Sequence, residues 1–101
     1  MTSTPAIHTT PLVEVVVTYG LQGRASARLH ELLIDAMALR PARLVVDLTE
    51  CDSLDAGAVD MLLDAHRRMW NAGGRLTLRS PSQRLLRILT LARVEQVFDI
   101  V

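Results

Sequence analysis

Lysine is missing altogether: all eleven basic side chains are arginine. That removes a Walker-type phosphate loop, a Schiff-base enzyme and a receiver-type phosphoacceptor site, each of which uses a lysine amine. The single cysteine, Cys51, cannot close an internal disulfide, so nothing ties the chain to an oxidising compartment. Aromatics make up only 3% of the residues while apolar residues make up half, so the core must be aliphatic. Formal net charge is zero, which argues against a general affinity for nucleic acid, because that affinity needs excess positive charge to displace counterions. No apolar run approaches the ~20 residues of a membrane span. The opening M-T-S-T-P-A-I-H-T-T lacks the basic start and apolar run of a signal peptide. The reading is a soluble, cytoplasmic chain with no membrane insertion.

Catalytic patterns are missing too. No G-x-S-x-G elbow is present, His8, His30 and His66 are scattered, and H-E-L-L-I at His30 lacks the second histidine of a zinc-protease helix. Cys51 has no evident histidine partner and reads as a small buried residue. His66 reads as a packed helix residue. The expectation is a protein with no enzymatic activity, no metal and no cofactor.

What is present is a regular alternation of elements. Residues 1–11 form an N-terminal segment, either a frayed end or one edge strand around Ile7, and residues 12–101 read as one domain. L-V-E-V-V-V-T-Y, Leu12 to Tyr19, is β-branched and reads as a strand ending at Gly20. A helix follows, opening at Gly23 or Ser26, with Leu29, Leu32, Leu33, Ala36 and Met37 at helical spacing and Pro41 ending it. Arg43 to Leu48 is a short apolar run typical of a buried strand. A second helix carries Val59, Leu62, Leu63, His66, Met69 and Trp70 on one stripe, with Asp55 as N-cap and Asn71-Ala72-Gly73-Gly74 as a glycine C-cap. Arg75 to Leu78 is another strand. S-P-S-Q at Ser80 to Gln83 reads as a capping box opening a third helix with Leu85, Leu86, Ile88, Leu89 and Leu91. V-F-D-I-V closes the chain as a last strand or a docked tail. Such alternation makes an α/β layer with a largely parallel sheet, and partners then meet the carboxyl ends of the strands.

Six of the eleven acids fall between Asp47 and Asp64. Their spacing fits no EF-hand loop, and they read as helix capping plus first-turn acids favoured by the macrodipole, worth about 0.3–1 kcal/mol each. The basic C-terminal half, with few aromatics to stack bases, reads as solvated helix faces rather than a nucleic-acid surface. Apolar residues crowd both sides of the third helix, and Ile88, Leu91 and Val97 offer a patch that could serve a homodimer.

The ordered set of pieces resembles the STAS domain, the fold of the anti-sigma factor antagonists. That family shows an apolar strand ending in D-L-S, then D-S-S-G-L opening a helix, a glycine turn, a strand, an S-P-S-like helix start and a closing L-T-G-L-x-x-V-F. Here these read D-L-T at Asp47, D-A-G-A-V at Asp55, A-G-G-R-L-T-L at Ala72, S-P-S at Ser80 and L-A-R-V-E-Q-V-F at Leu91. The resemblance implies a single α/β domain with a four- to five-stranded mixed sheet and about three to four helices packed on it. It also implies a bacterial, cytoplasmic partner switch in transcription regulation. In that switch the antagonist binds an anti-sigma factor, often a serine-protein kinase, and is released when a serine of D-S-S-G is phosphorylated.

The sequence departs from the family at that serine. Aligned from Asp55, the phosphoacceptor falls on Gly57, its neighbour on Ala56 and the motif's glycine on Ala58, while the family's turn acid after the first strand lands on Gly23. Glycine has no oxygen to phosphorylate. The expected interface is therefore a phosphorylation-independent docking surface at Asp52, Ser53, Asp55, Ala56, Gly57, Ala58 and Asp60, where open backbone amides allow close approach. The leading expectation for the partner is an anti-sigma factor or kinase-like protein. The alternatives are a STAS subunit that regulates an ABC transporter ATPase, or a scaffold or sensor.

Overall fold

The computed structural model describes residues 10–101. Four strands, β1 (Thr10–Val16), β2 (Pro41–Asp47), β3 (Arg75–Arg79) and β4 (Asp99–Ile100), alternate with three helices, α1 (Arg24–Ala38), α2 (Ala56–Asn71) and α3 (Gln83–Leu91). The sheet order is β1-β2-β3-β4, and every pairing is parallel. The expected extra edge strand around Ile7 lies outside the described residues. Parallel neighbours in chain order need right-handed crossovers, which put α1, α2 and α3 on one face. The α/β architecture is the one the alternation implied.

The strands alternate as a pleated sheet demands. Leu44, Val46, Leu48, Leu76 and Leu78 point to the helices and are buried in the main core with Leu29, Leu33, Leu62, Leu85 and Leu89. The opposite face carries polar cross-strand contacts. The buried Thr77 hydroxyl accepts from Arg43 Nε at 3.0 Å and donates to Asp99 Oδ2 at 2.7 Å. Arg79 reaches Glu14 at 2.5 Å, tying β3 to the edge strand β1 across β2.

Several boundaries differ from the sequence reading. β1 starts two residues early, at Thr10, and ends at Val16; Pro11 is tolerated there because β1 is an edge strand of the described sheet. Pro41 opens β2 rather than only ending α1. The N-cap of α3 is Ser82, whose Oγ accepts from Leu85 N at 3.2 Å, and not Ser80. Ser80 instead takes φ +52° and donates its amide to Val101 O, joining the chain's end to the sheet. Trp70 and Leu32, expected on buried stripes, are exposed. The core-facing line of α2 runs through Ala58, Met61, Leu62, Ala65 and Met69, and Trp70 sits one residue, about 100°, beyond it.

Two helices end in the same way with different residues. After α2, Gly73 N donates to Trp70 O and Gly74 N to Met69 O, a Schellman motif with Gly73 at φ +79°. After α3, Arg93 N donates to Thr90 O and Val94 N to Leu89 O, with Arg93 at φ +61°. An L-residue pays about 1–2 kcal/mol of steric cost there that glycine avoids. Arg93 is also where the closing L-T-G-L pattern has its glycine. Arg93→Gly is therefore expected to raise the thermal midpoint by a few degrees, the relief outweighing glycine's added entropy in the unfolded chain. Scanning calorimetry checks this; a lower midpoint would contradict it.

Candidate functional site

The carboxyl ends of β1 and β2 feed two loops that run side by side. Leu21 N donates to Ser53 O at 2.8 Å, and Asp55 N donates to Leu21 O at 2.9 Å. Leu21 and Leu54 are both buried beneath this junction. The first loop delivers Gly23 to the start of α1, and the second delivers Asp55 to the start of α2, so the two helix starts are neighbours.

Asp55 joins them. Its Oδ1 accepts from Ala58 N at 2.8 Å, capping α2, and its Oδ2 accepts from Gly23 N at 2.9 Å. Ser26 Oγ adds a longer contact to Oδ1 at 3.4 Å. Gly23 has no side chain to cap α1, so the carboxylate of another helix supplies the acceptor for its amide. These amides, Gly23's first and Ala58's next, hold the Asp55 carboxyl below its ordinary range. Asp55, a docking residue in the sequence reading, is thus half-buried and structurally committed.

The other expected docking residues divide. Ala56, Gly57, Asp52 and Asp60 are exposed, and Ser53 is half-buried, all at one end of the molecule. Ala58 is 0% exposed: its side chain belongs to the core and its amide to Asp55, so its expected surface role is corrected. Among the described residues, the Ala56 and Gly57 amides have no protein acceptor. A Cβ built on Gly57 would touch only Asp55 Oδ1, at 3.5 Å. The shoulder at 56–57 is therefore shallow, hydroxyl-free and open.

The nearby hydroxyls are occupied. Thr49 donates its hydroxyl at 2.6 Å and its amide at 2.9 Å to Asp47 Oδ1, and this pair lowers the Asp47 pKa. Ser53 Oγ donates to Asp52 Oδ1 at 3.3 Å, and Gly20 packs against both side chains, with Asp52 Oδ1 2.9 Å from where its Cβ would be. Cys51 is buried and donates its thiol to Ser53 O at 3.3 Å; desolvation pushes its pKa up and keeps it protonated. No acid lies in the first turn of α2, so the expected first-turn acids reduce to the cap, Asp55. Asp64 faces α1 instead, where Arg68 first, and His30 at 3.4 Å more weakly, lower its pKa. Among the described residues no three His, Cys, Asp or Glu side chains are grouped to hold a metal ion, and no helix is long and apolar enough to cross a membrane.

Sequence reasoning missed one feature of the site. An open groove of about 420 Å³ runs from Ala56 and Asp60 between α2 and α3, lined by Val59, Leu63, Ile88 and Leu91. The crowding of apolar residues on both sides of α3 was its only sequence signal.

Comparison with known proteins places this arrangement. The profile of the family described as "Mlab, STAS domain" matches residues 13–101. A STAS-domain containing protein of Pseudomonas aeruginosa is 32% identical over 87 residues, covering 83% of this chain and 86% of that protein. The crystal structure of a Thermotoga maritima protein, provisionally described as an anti-sigma factor antagonist, superposes with a TM-score of 0.79 at 16% identity, covering 88% of this chain and 77% of the other. The NMR structure of that same protein gives 0.78 at 16% identity, covering 89% and 73%.

Proposed function

The chain belongs to the STAS domain family, and from that premise we propose that it is a non-catalytic module that binds a partner protein through the shoulder at Asp52, Ser53, Ala56, Gly57 and Asp60, without phosphorylation there. The observation that carries this reading is the open, hydroxyl-free helix start, fixed in place by the Asp55 clamp. Its two free amides and lack of side-chain bulk suit close approach by another backbone. The surrounding carboxylates of Glu50, Asp52 and Asp60 favour a partner with a basic surface.

A phosphate at this position would add about −1.5 to −2 charges beside those acids and repel a partner. With glycine at position 57, that route is closed. The domain acts as an anti-sigma factor antagonist whose release, if regulated, is controlled elsewhere, with an anti-sigma factor of the serine-kinase type as the partner. The same bare helix start favours a second reading. A permanently attached subunit needs no release signal, as for a STAS subunit that regulates a transporter ATPase. The buried Cys51, whose thiol desolvation holds in its protonated form, supports a role without catalysis.

The test is capture of the partner from the native host by the tagged chain, followed by its identification. A sigma-regulating kinase supports the first reading and a transporter ATPase the second. Gly57→Arg and Asp52→Lys are each expected to lower affinity at least tenfold with circular dichroism unchanged. Capture that survives both substitutions, or stoichiometric phosphate between Thr49 and Asp60 after incubation with kinase and ATP, contradicts the proposal.

A further inference from the structure

One line of α2 runs Ala56, Asp60, Leu63, Arg67, Trp70, spaced i, i+4, i+7, i+11 and i+14, exposed at every position except Leu63, which is half-buried against the core. This spacing keeps all five on one helix face over about 21 Å. The line lies beside α3 and the segment after it: Ala56, Asp60 and Leu63 edge the groove shared with Leu91, while Arg67 and Trp70 edge a second hollow shared with Val97. Two large apolar side chains stand out along it, Trp70 at 64% and Leu91 at 77% exposure. Among the described residues neither Asp60 nor Arg67 has an ion-pair partner, although Asp64 and Arg68 on the α1 side pair with each other.

Read from one end, the line is small, acidic, apolar, basic, large. Read from the other it is large, basic, apolar, acidic, small. Two copies laid antiparallel with their two-fold axis at Leu63 therefore match at every step. Leu63 meets Leu63 of the second copy, Asp60 faces the other Arg67 on both sides of the axis, and each Trp70 lies over the other copy's Ala56–Gly57. Such a surface is isologous and closes at two copies. Tryptophan is among the side chains enriched as interface anchors, and a helix start without bulk leaves room for its ring.

We propose that the chain forms an antiparallel homodimer through this face of α2, with Trp70 of each copy covering Ala56 and Gly57 of the other. The dimer does not depend on the docking assignment. Its corollary, that self-association and partner capture exclude one another, rests on that reading.

Sedimentation equilibrium of the full chain, without any partner, tests the dimer separately from the docking site. The wild-type mass is expected to approach twice 11.2 kDa as concentration rises. Trp70→Ala, Asp60→Arg and Arg67→Asp are each expected to stay monomeric, and the double reversal Asp60→Arg/Arg67→Asp to dimerise again. Trp70 is the only tryptophan, so its emission should shift to the blue as the dimer forms. Three results would overturn the proposal. One is a wild-type chain monomeric from micromolar to millimolar with constant emission, so that the line meets a different partner or none. The others are a double reversal that stays monomeric and a dimer that survives Trp70→Ala.

Discussion

Asp55→Ala is expected to lower the thermal midpoint by roughly 4–8 °C or more, the scale of a lost N-cap in a domain of this size. The substitution removes two contacts at once: the cap on Ala58 N and the acceptor for Gly23 N, which links the starts of α1 and α2. Asp55→Asn separates them. Its side-chain oxygen still caps α2, but its amide turns a donor toward the Gly23 donor, so the clamp opens while the cap remains. An intermediate midpoint is expected.

The same carboxylate sets part of the pH response. Asp55 has a folded pKa below its unfolded one, through the Gly23 and Ala58 amides, as do Asp47 through Thr49 and Asp64 through Arg68. A depressed carboxylate binds fewer protons in the folded state. Its contribution is fully present above the unfolded value of about 3.9 and is lost as pH falls through the lower folded value. Stability should therefore drop on the acid side, and Asp55→Asn should make that drop shallower. Urea titrations across the acid range check this; a steeper acid limb for Asp55→Asn would contradict the clamp.

Gly74→Ala is expected to cost about 1–3 kcal/mol through overpacking. A Cβ at Gly74 would sit 3.0 Å from Ala42 O and 3.1 Å from Pro41 O, both backbone atoms of β2, and 2.8 Å from Met69 Cε. The methionine can move aside, but the strand carbonyls cannot without disturbing the sheet where β3 begins. Gly57→Ala provides the opposite sign. Its Cβ meets only ordinary contact, and replacing a helical glycine is expected to gain about 0.5–1 kcal/mol. Denaturant midpoints of the two variants should move in opposite directions; a neutral Gly74→Ala would mean that the turn and β2 are not packed as closely as described.

Much of this molecule is written in local pattern. The β-branched run of β1, the leucine spacing of the helices, the Asp55 cap and the Gly73–Gly74 stop are short-range signals, and each matches an observed element. What local pattern does not carry is the second use of a residue. Asp55 reads as a cap, but its bond to Gly23 spans 32 positions and exists only because the parallel sheet brings the two loops together. Ala58 reads as part of a surface motif, yet helical geometry turns it inward. Trp70 reads as core because tryptophan next to Met69 looks apolar in sequence, and only the packing direction of α2 places it outside. The start of α3 reads two residues early in the sequence because two serines flank Pro81; Ser82 is the one that caps, while Ser80 donates its amide to Val101 O just beyond β4.

The most direct measurement is a titration of isotopically labelled chain with its captured partner, followed by backbone amide NMR. The largest shifts should fall on Ala56 and Gly57, with Asp52, Ser53 and Asp60 next, and the mass of the bound chain should show no added phosphate. Shifts that leave Ala56 and Gly57 unmoved while the complex forms would place the docking surface elsewhere and contradict the account.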